Sequence, residues 1–243
     1  MSLLPTEPTK PKTALSDFNW IIYGAPGIGK TTLANDFPGA LFLATEDGQG
    51  AHGCYRVAVD SWEKFLGACR ELAQGKHSFA TIIVDTVDNL WSLCATYVCA
   101  KRGIEHESEL EWGKGFELVR TEFFRALTKL SFLPHGLVMI SHAQDTDVET
   151  RTRKFTKTVP SFKLREQPRL LGMVDFIFYC DHDATKDATG KPTYQRVIRT
   201  KAAEAYVAKD RTGRLPDPMP LGFDHLSKAF DEAVKTKTNK GSK

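Results

Sequence analysis

Residues Gly24 to Thr32 read GAPGIGKTT. The run fits G-x-x-x-x-G-K-[ST], a spacing that serves phosphate binding. Gly24, Gly27 and Gly29 free the backbone to turn successive N–H groups toward one anion. Lys30 reaches β- and γ-phosphates, and Thr31 offers a hydroxyl to magnesium. Ala25, Pro26, Ile28 and Thr32 complete the candidate nucleotide cradle. The four fixed positions match by chance in roughly one chain of this length per hundred. The flanks sharpen the match: Asn19 to Tyr23 (NWIIY) is an apolar run suited to a buried parallel strand, and Thr31 to Asp36 (TTLAND) continues as a helix facing the phosphates.

The bulk composition sets wider bounds. A chain of 243 residues, 41% hydrophobic, can bury the core of one large α/β domain. Residues 1 to 16 hold three prolines and read as a flexible lead-in, the domain covers 17 to 233, and the lysine-rich residues 234 to 243 read as a disordered tail. Five cysteines (Cys54, Cys69, Cys94, Cys99, Cys180) without C-x-x-C spacing indicate neither a disulfide framework nor a zinc site. A reducing cytosol is the expected setting. No run approaches the roughly 18 apolar residues of a membrane span, so no membrane partner is expected. Net charge is only +3, yet Arg151 to Arg169 hold seven Lys or Arg and one acid, and Lys235 to Lys243 hold four lysines.

Along the chain, Ala40 to Ala44 (ALFLA) predicts a strand ending in Thr45-Glu46-Asp47-Gly48. Open α/β sheets bind ligands at the carboxyl ends of their strands, so Glu46 falls where a nucleotide would sit. A helix is expected from Ser61, a capping residue, to Ala73. Thr81 to Asp85 (TIIVD) has the form of the strand whose terminal acid holds magnesium in phosphate-loop proteins, which assigns the metal to Thr31 and Asp85. Asp88 to Ala100 reads as a buried helix, Lys101 to Glu111 as a loop, and Phe116 to Leu130 as an amphipathic helix. Gly136 to Ser141 (GLVMIS) predicts a buried strand delivering His142 to the same edge, where an imidazole can bond a γ-phosphate.

From Ala143 to Leu171 periodicity is lost and cations accumulate. Arg151, Arg153, Lys154, Lys157, Lys163, Arg165 and Arg169 are interleaved with Phe155 and Phe162. Cations that neutralise phosphates and aromatic faces that stack on unpaired bases make this a candidate nucleic-acid loop. A solvated loop, a docking site for an acidic protein and a phosphate-binding lid are the alternatives. Gly172 to Cys180 and Tyr194 to Thr200 predict an antiparallel hairpin at the sheet edge, and His225 to Ala233 a short helix. Lys209 and Arg211, two apart in EAYVAKDRTG, project the same way at a strand end.

GAPGIGKTT, FLATEDG, TIIVD, VMISH and AKDRTG, in this order, resemble the RecA-like P-loop ATPase core. More closely, they look like the compact phage-encoded RecA-like ATPases of single-strand annealing and recombination. The resemblance covers Asn19 to Leu221. It implies an α/β fold with a mainly parallel, doubly wound sheet and an antiparallel C-terminal edge hairpin, and ATP with Mg2+ as cofactors. Glu46 becomes the base that activates water, His142 the γ-phosphate sensor, and Arg151 to Arg169 the DNA-binding loop after the sensor strand. Lys209 and Arg211 resemble the Lys-x-Arg that acts across a subunit interface.

The expected activity is thus a DNA-stimulated ATPase. Single-stranded DNA and further copies of the chain, as a ring or filament, are the expected partners. A single-stranded DNA-binding protein is a further candidate, and the cytoplasm of a bacterial host the expected location. A nucleotide or small-molecule kinase with the basic loop as its lid, and a non-hydrolysing nucleotide-switched loader, are the competing readings.

Overall fold

The computed structural model of the chain describes residues 6–8, 11–47, 53–186 and 190–238. Residues 1–5 and 9–10 of the expected lead-in, Gly48, and residues 239–243 of the expected tail lie outside the described residues. The chain runs β1 (Asn19–Gly24), α1 (Lys30–Asn35), β2 (Ala40–Ala44), β3 (Tyr55–Ala58), α2 (Trp62–Ala73), β4 (Thr81–Asp85), α3 (Val87–Arg102) and α4 (Lys114–Ser131). It continues through β5 (Gly136–Glu149), β6 (Lys154–Pro160), α5 (Gln167–Gly172), β7 (Phe176–Lys186), β8 (Pro192–Arg199), β9 (Lys209–Asp210), β10 (Met219–Pro220) and α6 (Phe223–Thr238).

The strand order is β10-β8-β7-β1-β5-β4-β2-β3. All pairs from β7 to β3 are parallel, while β8 and β10 add antiparallel to the β7 side. This is the mixed, mainly parallel α/β sheet with an antiparallel C-terminal edge that the RecA-like resemblance implies. The central strands are apolar on both faces because both are covered. Ile21 and Tyr23 of β1 join one core with residues of α2, α3 and α4, whereas Trp20 and Ile22 join the other with residues of α1 and α6. Trp20 stacks on Phe176 with ring centroids 4.0 Å apart. Among the described residues no helix is long and apolar enough to cross a membrane.

Local signals held where they were strong. Ser61 caps α2, its hydroxyl accepting from the Lys64 amide, and α4 contains the expected amphipathic stripe. Several expectations need correction. The segment after His142 is not an aperiodic loop: β5 runs on to Glu149 and pairs antiparallel with β6, from Ala143↔Pro160 to Glu149↔Lys154. Polar cross-strand pairs hid the strand period, since Thr158 donates to Asp145 (2.8 Å), Thr156 to Asp147 (3.1 Å), and Lys154 pairs with Glu149 (3.0 Å). Phe162 is not available for stacking on bases; it is 1% exposed and packs against Trp91 and Phe123.

Gly172 ends α5 rather than opening a strand, and β7 instead begins at Phe176 and extends to Lys186. The last helix is longer at both ends than His225 to Ala233, because Leu226, Phe230 and Ala233 give it a buried face. The lead-in is anchored by residue 15: Leu15 is buried, and its carbonyl accepts from the Trp20 indole at 3.1 Å. The polar stretch after Ala100 is not all loop, since α3 reaches Arg102 and two short 3-10 turns follow, with Glu107 buried in the first.

Removing the Phe162 ring leaves a void among Trp91 and Phe123, so Phe162→Ala should lower stability by about 3–5 kcal/mol in urea denaturation. A loss below about 1 kcal/mol would contradict its place in the core.

Candidate active site

The phosphate-loop run starts where β1 meets β7. Gly24 lies so close to that neighbour that a Cβ there would stand 2.5 Å from the Cys180 carbonyl oxygen, so only glycine fits. Gly29, at φ 112, opens α1 in a conformation that side chains resist. Lys30 is buried, and its ammonium donates to the carbonyls of Gly24 and Ala25, each at 2.9 Å. Burial pushes its pKa below the ordinary lysine range, opposed by the nearby thiol of Cys180 and the carboxyls of Asp85, Glu46 and Asp88. The Thr31 hydroxyl donates to Asp85 Oδ2 at 3.1 Å, so the two expected metal ligands are in contact.

Parallel register brings the other acids to the same edge. Ala44 of β2 pairs with Asp85 of β4, and Gly24 of β1 with His142 of β5. Glu46 follows just beyond β2, where its Oε1 accepts from Thr86 Oγ1 (2.9 Å) and Asn89 Nδ2 (2.8 Å). His142 Nε2 is 3.4 Å from the same oxygen, while its Nδ1 is buried without a partner. Asp88 accepts from the Ser141 hydroxyl at 2.8 Å and from the His142 amide at 3.0 Å. Burial raises the Asp88 pKa, and those two donors oppose the rise.

Thr86, Asp88 and Asn89 were not singled out from sequence. Their signal was positional: they are the polar residues of the helix turn that follows TIIVD, at the carboxyl edge of the sheet. Arg196 was also missed. It reaches from β8 to the Ile28 carbonyl at 3.3 Å, a contact between residues far apart in sequence.

The remaining candidates fall into separate groups. Lys209 pairs with Ile177, three residues before Cys180, so it stands about 10 Å from the Gly24 end of the sheet. Its ammonium donates to the Val174 carbonyl at 2.6 Å, and Arg211 pairs with Asp175 at 2.8 Å. Both therefore face away from the phosphate loop of their own chain.

The basic segment is divided by the hairpin. Arg151, Arg153, Lys154 and Phe155 lie at its tip, six residues or about 20 Å beyond Pro160. There the Arg153 guanidinium lies over the Phe155 ring and pairs with Glu204 at 2.9 Å. Lys157 lies along β6, whereas Lys163 and Arg165 follow Pro160 and line a groove of about 620 Å³ with Trp91, Phe116 and Arg120. Lys163 is engaged by the buried Glu107, while Arg151, Lys157 and Arg165 have no acidic partner among the described residues.

The donor set fits magnesium bound with phosphate. A hydroxyl and a carboxylate are hard oxygen ligands, and such sites take one or two protein ligands with phosphate and water supplying the rest. Among the described residues no cluster of three or more His, Cys, Asp or Glu could hold an ion by itself.

A family model described as an AAA domain matches residues 17–212. No curated protein matches the chain. Among solved structures it is similar to a KaiC-like protein of the hyperthermophilic archaeon Pyrococcus horikoshii OT3, at 10% identity over 76% of this chain and 78% of that one, with a TM-score of 0.40. It is also similar to the flagellar accessory protein FlaH of Methanocaldococcus jannaschii, at 10% identity over the same shares and a TM-score of 0.39. With a phosphate loop, its partner acid and a mainly parallel sheet inside the matched span, the chain belongs to the AAA domain family of P-loop ATPases.

Proposed function

We propose that the protein is a magnesium-dependent ATPase that binds single-stranded DNA and acts as a homo-oligomer in recombination or strand annealing of the phage type. The observation that carries the hydrolytic part is the convergence of two contacts at one sheet edge, Thr31 with Asp85 and Glu46 with His142. In this reading the triphosphate lies along Gly24 to Thr32, and Lys30 exchanges its two loop carbonyls for phosphate oxygens. Thr31 and Asp85 hold magnesium, which when bound offsets charge on the β- and γ-phosphates. Glu46 orients a water and accepts its proton as the oxygen attacks the γ-phosphorus. The bond to the β,γ-bridging oxygen breaks, and ADP and phosphate leave. His142, beside Glu46, senses the γ-phosphate.

Strand continuity supports the coupling to DNA. β5 carries His142 and runs on into the basic hairpin, and the Ser161 amide ties the far end of that hairpin back to the His142 carbonyl at 2.8 Å. The DNA path takes two groups of cations, the tip and the groove, with Phe155 at the first. At the second, Phe116 is 41% exposed and lines the groove with Arg120, Lys163 and Arg165. Arginine and lysine neutralise the strand, and the rings offer faces for unpaired bases. Lys209 and Arg211 serve a neighbouring copy's nucleotide, since neither faces its own. A single-stranded DNA-binding protein that hands over the strand is a further partner.

Glu46→Gln should keep ATP affinity within about 3-fold and lower kcat by about 100-fold or more, as loss of a general base does; turnover at the wild-type rate would sink the assignment. Neutralising Arg151, Lys157 and Arg165 together should flatten the salt dependence of single-strand binding, by about 0.7 in log-log slope for each DNA phosphate that is no longer neutralised. An unchanged slope would exclude those residues from the DNA path.

A further inference from the structure

The Glu46 carboxylate is asymmetrically engaged. Oε1 receives the Thr86 hydroxyl at 2.9 Å and the Asn89 amide at 2.8 Å, with His142 Nε2 at 3.4 Å. No donor reaches Oε2 among the described residues. Two of the three contacts come from the opening turn of one helix, where Thr86 is the N-cap of α3 and Asn89 lies three residues on. The same turn reaches the adjacent strand β5 through Asp88, which receives Ser141 Oγ and the His142 amide. That one turn fixes both Glu46 and the backbone that carries His142.

The anchor itself is buried and bonded on both backbone groups. Thr86 is 1% exposed, and its amide and carbonyl both bond the Thr45 hydroxyl, at 2.8 and 3.1 Å, next to Glu46 in sequence. Glu46 is more open by comparison, with a third of its side chain exposed. An exposed carboxylate keeps several rotamers unless neighbours select one, and misplacing a reacting group by about 1 Å can cost about 100-fold in rate.

We propose that Asn89 is a positioning residue for Glu46: its amide, with the Thr86 hydroxyl, holds Oε1 and leaves Oε2 as the proton-accepting oxygen. The inference rests on Glu46 being the proton acceptor. A neutral donor suits this role because it orients the carboxylate without bringing another negative charge to it. The charged and titratable groups around Glu46 are Lys30 in the loop, Asp88 on α3, Asp85 at the end of β4, His142 on β5 and Arg56 on β3, whose guanidinium lies 3.5 Å from the Glu46 carbonyl and pairs with Asp47.

The test is steady-state ATP hydrolysis by the full chain with magnesium and single-stranded DNA, across pH. Asn89→Ala should lower kcat by about 10- to 100-fold with KM for ATP within about 3-fold, because orientation for the chemical step is lost and binding is not. Asn89→Asp, nearly identical in shape, places a like charge against Oε1 and should move the acidic limb of kcat up by about one pH unit or more. A residue of merely structural importance would not move that limb. Asn89→Ala with kcat within about 2-fold of wild type, or Asn89→Asp with an unmoved limb, overturns the proposal. Glu46→Gln, measured alongside, separates two failures. If it turns over normally, the proton acceptor is misassigned; if it is slow while Asn89→Ala is normal, only the positioning role falls.

Discussion

The nucleotide site depends on how closely β7 and β5 flank β1. Gly24 has no side chain to hold its neighbours away, and this lets β7 come within contact of the backbone where the phosphate loop leaves the sheet. On the other side, register pairs Gly24 with His142, and the next strand over ends in Asp85. A one-residue slip in any of these pairings would send the terminal side chain to the opposite face of the sheet. Burial of both faces, with Trp20 and Ile22 toward one core and Ile21 and Tyr23 toward the other, is what forbids the slip.

Charge at this edge is arranged in layers. Asp85 and Thr31 lie against the loop, Glu46 and His142 form the next layer, and Asp88 lies behind, accepting from the β5 backbone at His142. Half-buried Asp88 has its pKa raised by desolvation, yet two donors hold it in place, so it serves as a fixed acceptor. The AAA domain match covers all of these residues.

Much of the site was legible because its signals are local. The glycine spacing of Gly24 to Thr32 and the acid closing TIIVD each report a strand end, the imidazole after GLVMIS marks where β5 leaves its parallel pairing with β1, and parallel topology gathers these points at one edge. What stayed hidden depends on pairings between distant segments. The β5–β6 hairpin is polar on its cross-strand pairs, so no hydrophobic alternation marks it. Phe162 sits among cations in sequence but under Trp91 in space, and Glu107 looks like loop charge until Lys163 is found beside it. Lys209 and Arg211 were read as a pair at a strand end, which they are, but the end is the one remote from their own loop.

The proposed chemistry requires that water and not another acceptor take the γ-phosphoryl group. The most direct test is phosphate release from labelled ATP, measured with and without single-stranded DNA over a range of protein concentrations. The account predicts magnesium-dependent release of free phosphate, faster with DNA, and a specific rate that rises steeply with concentration as copies assemble. Label transferred to an acceptor, or tight ATP binding with no release even with DNA, would contradict it.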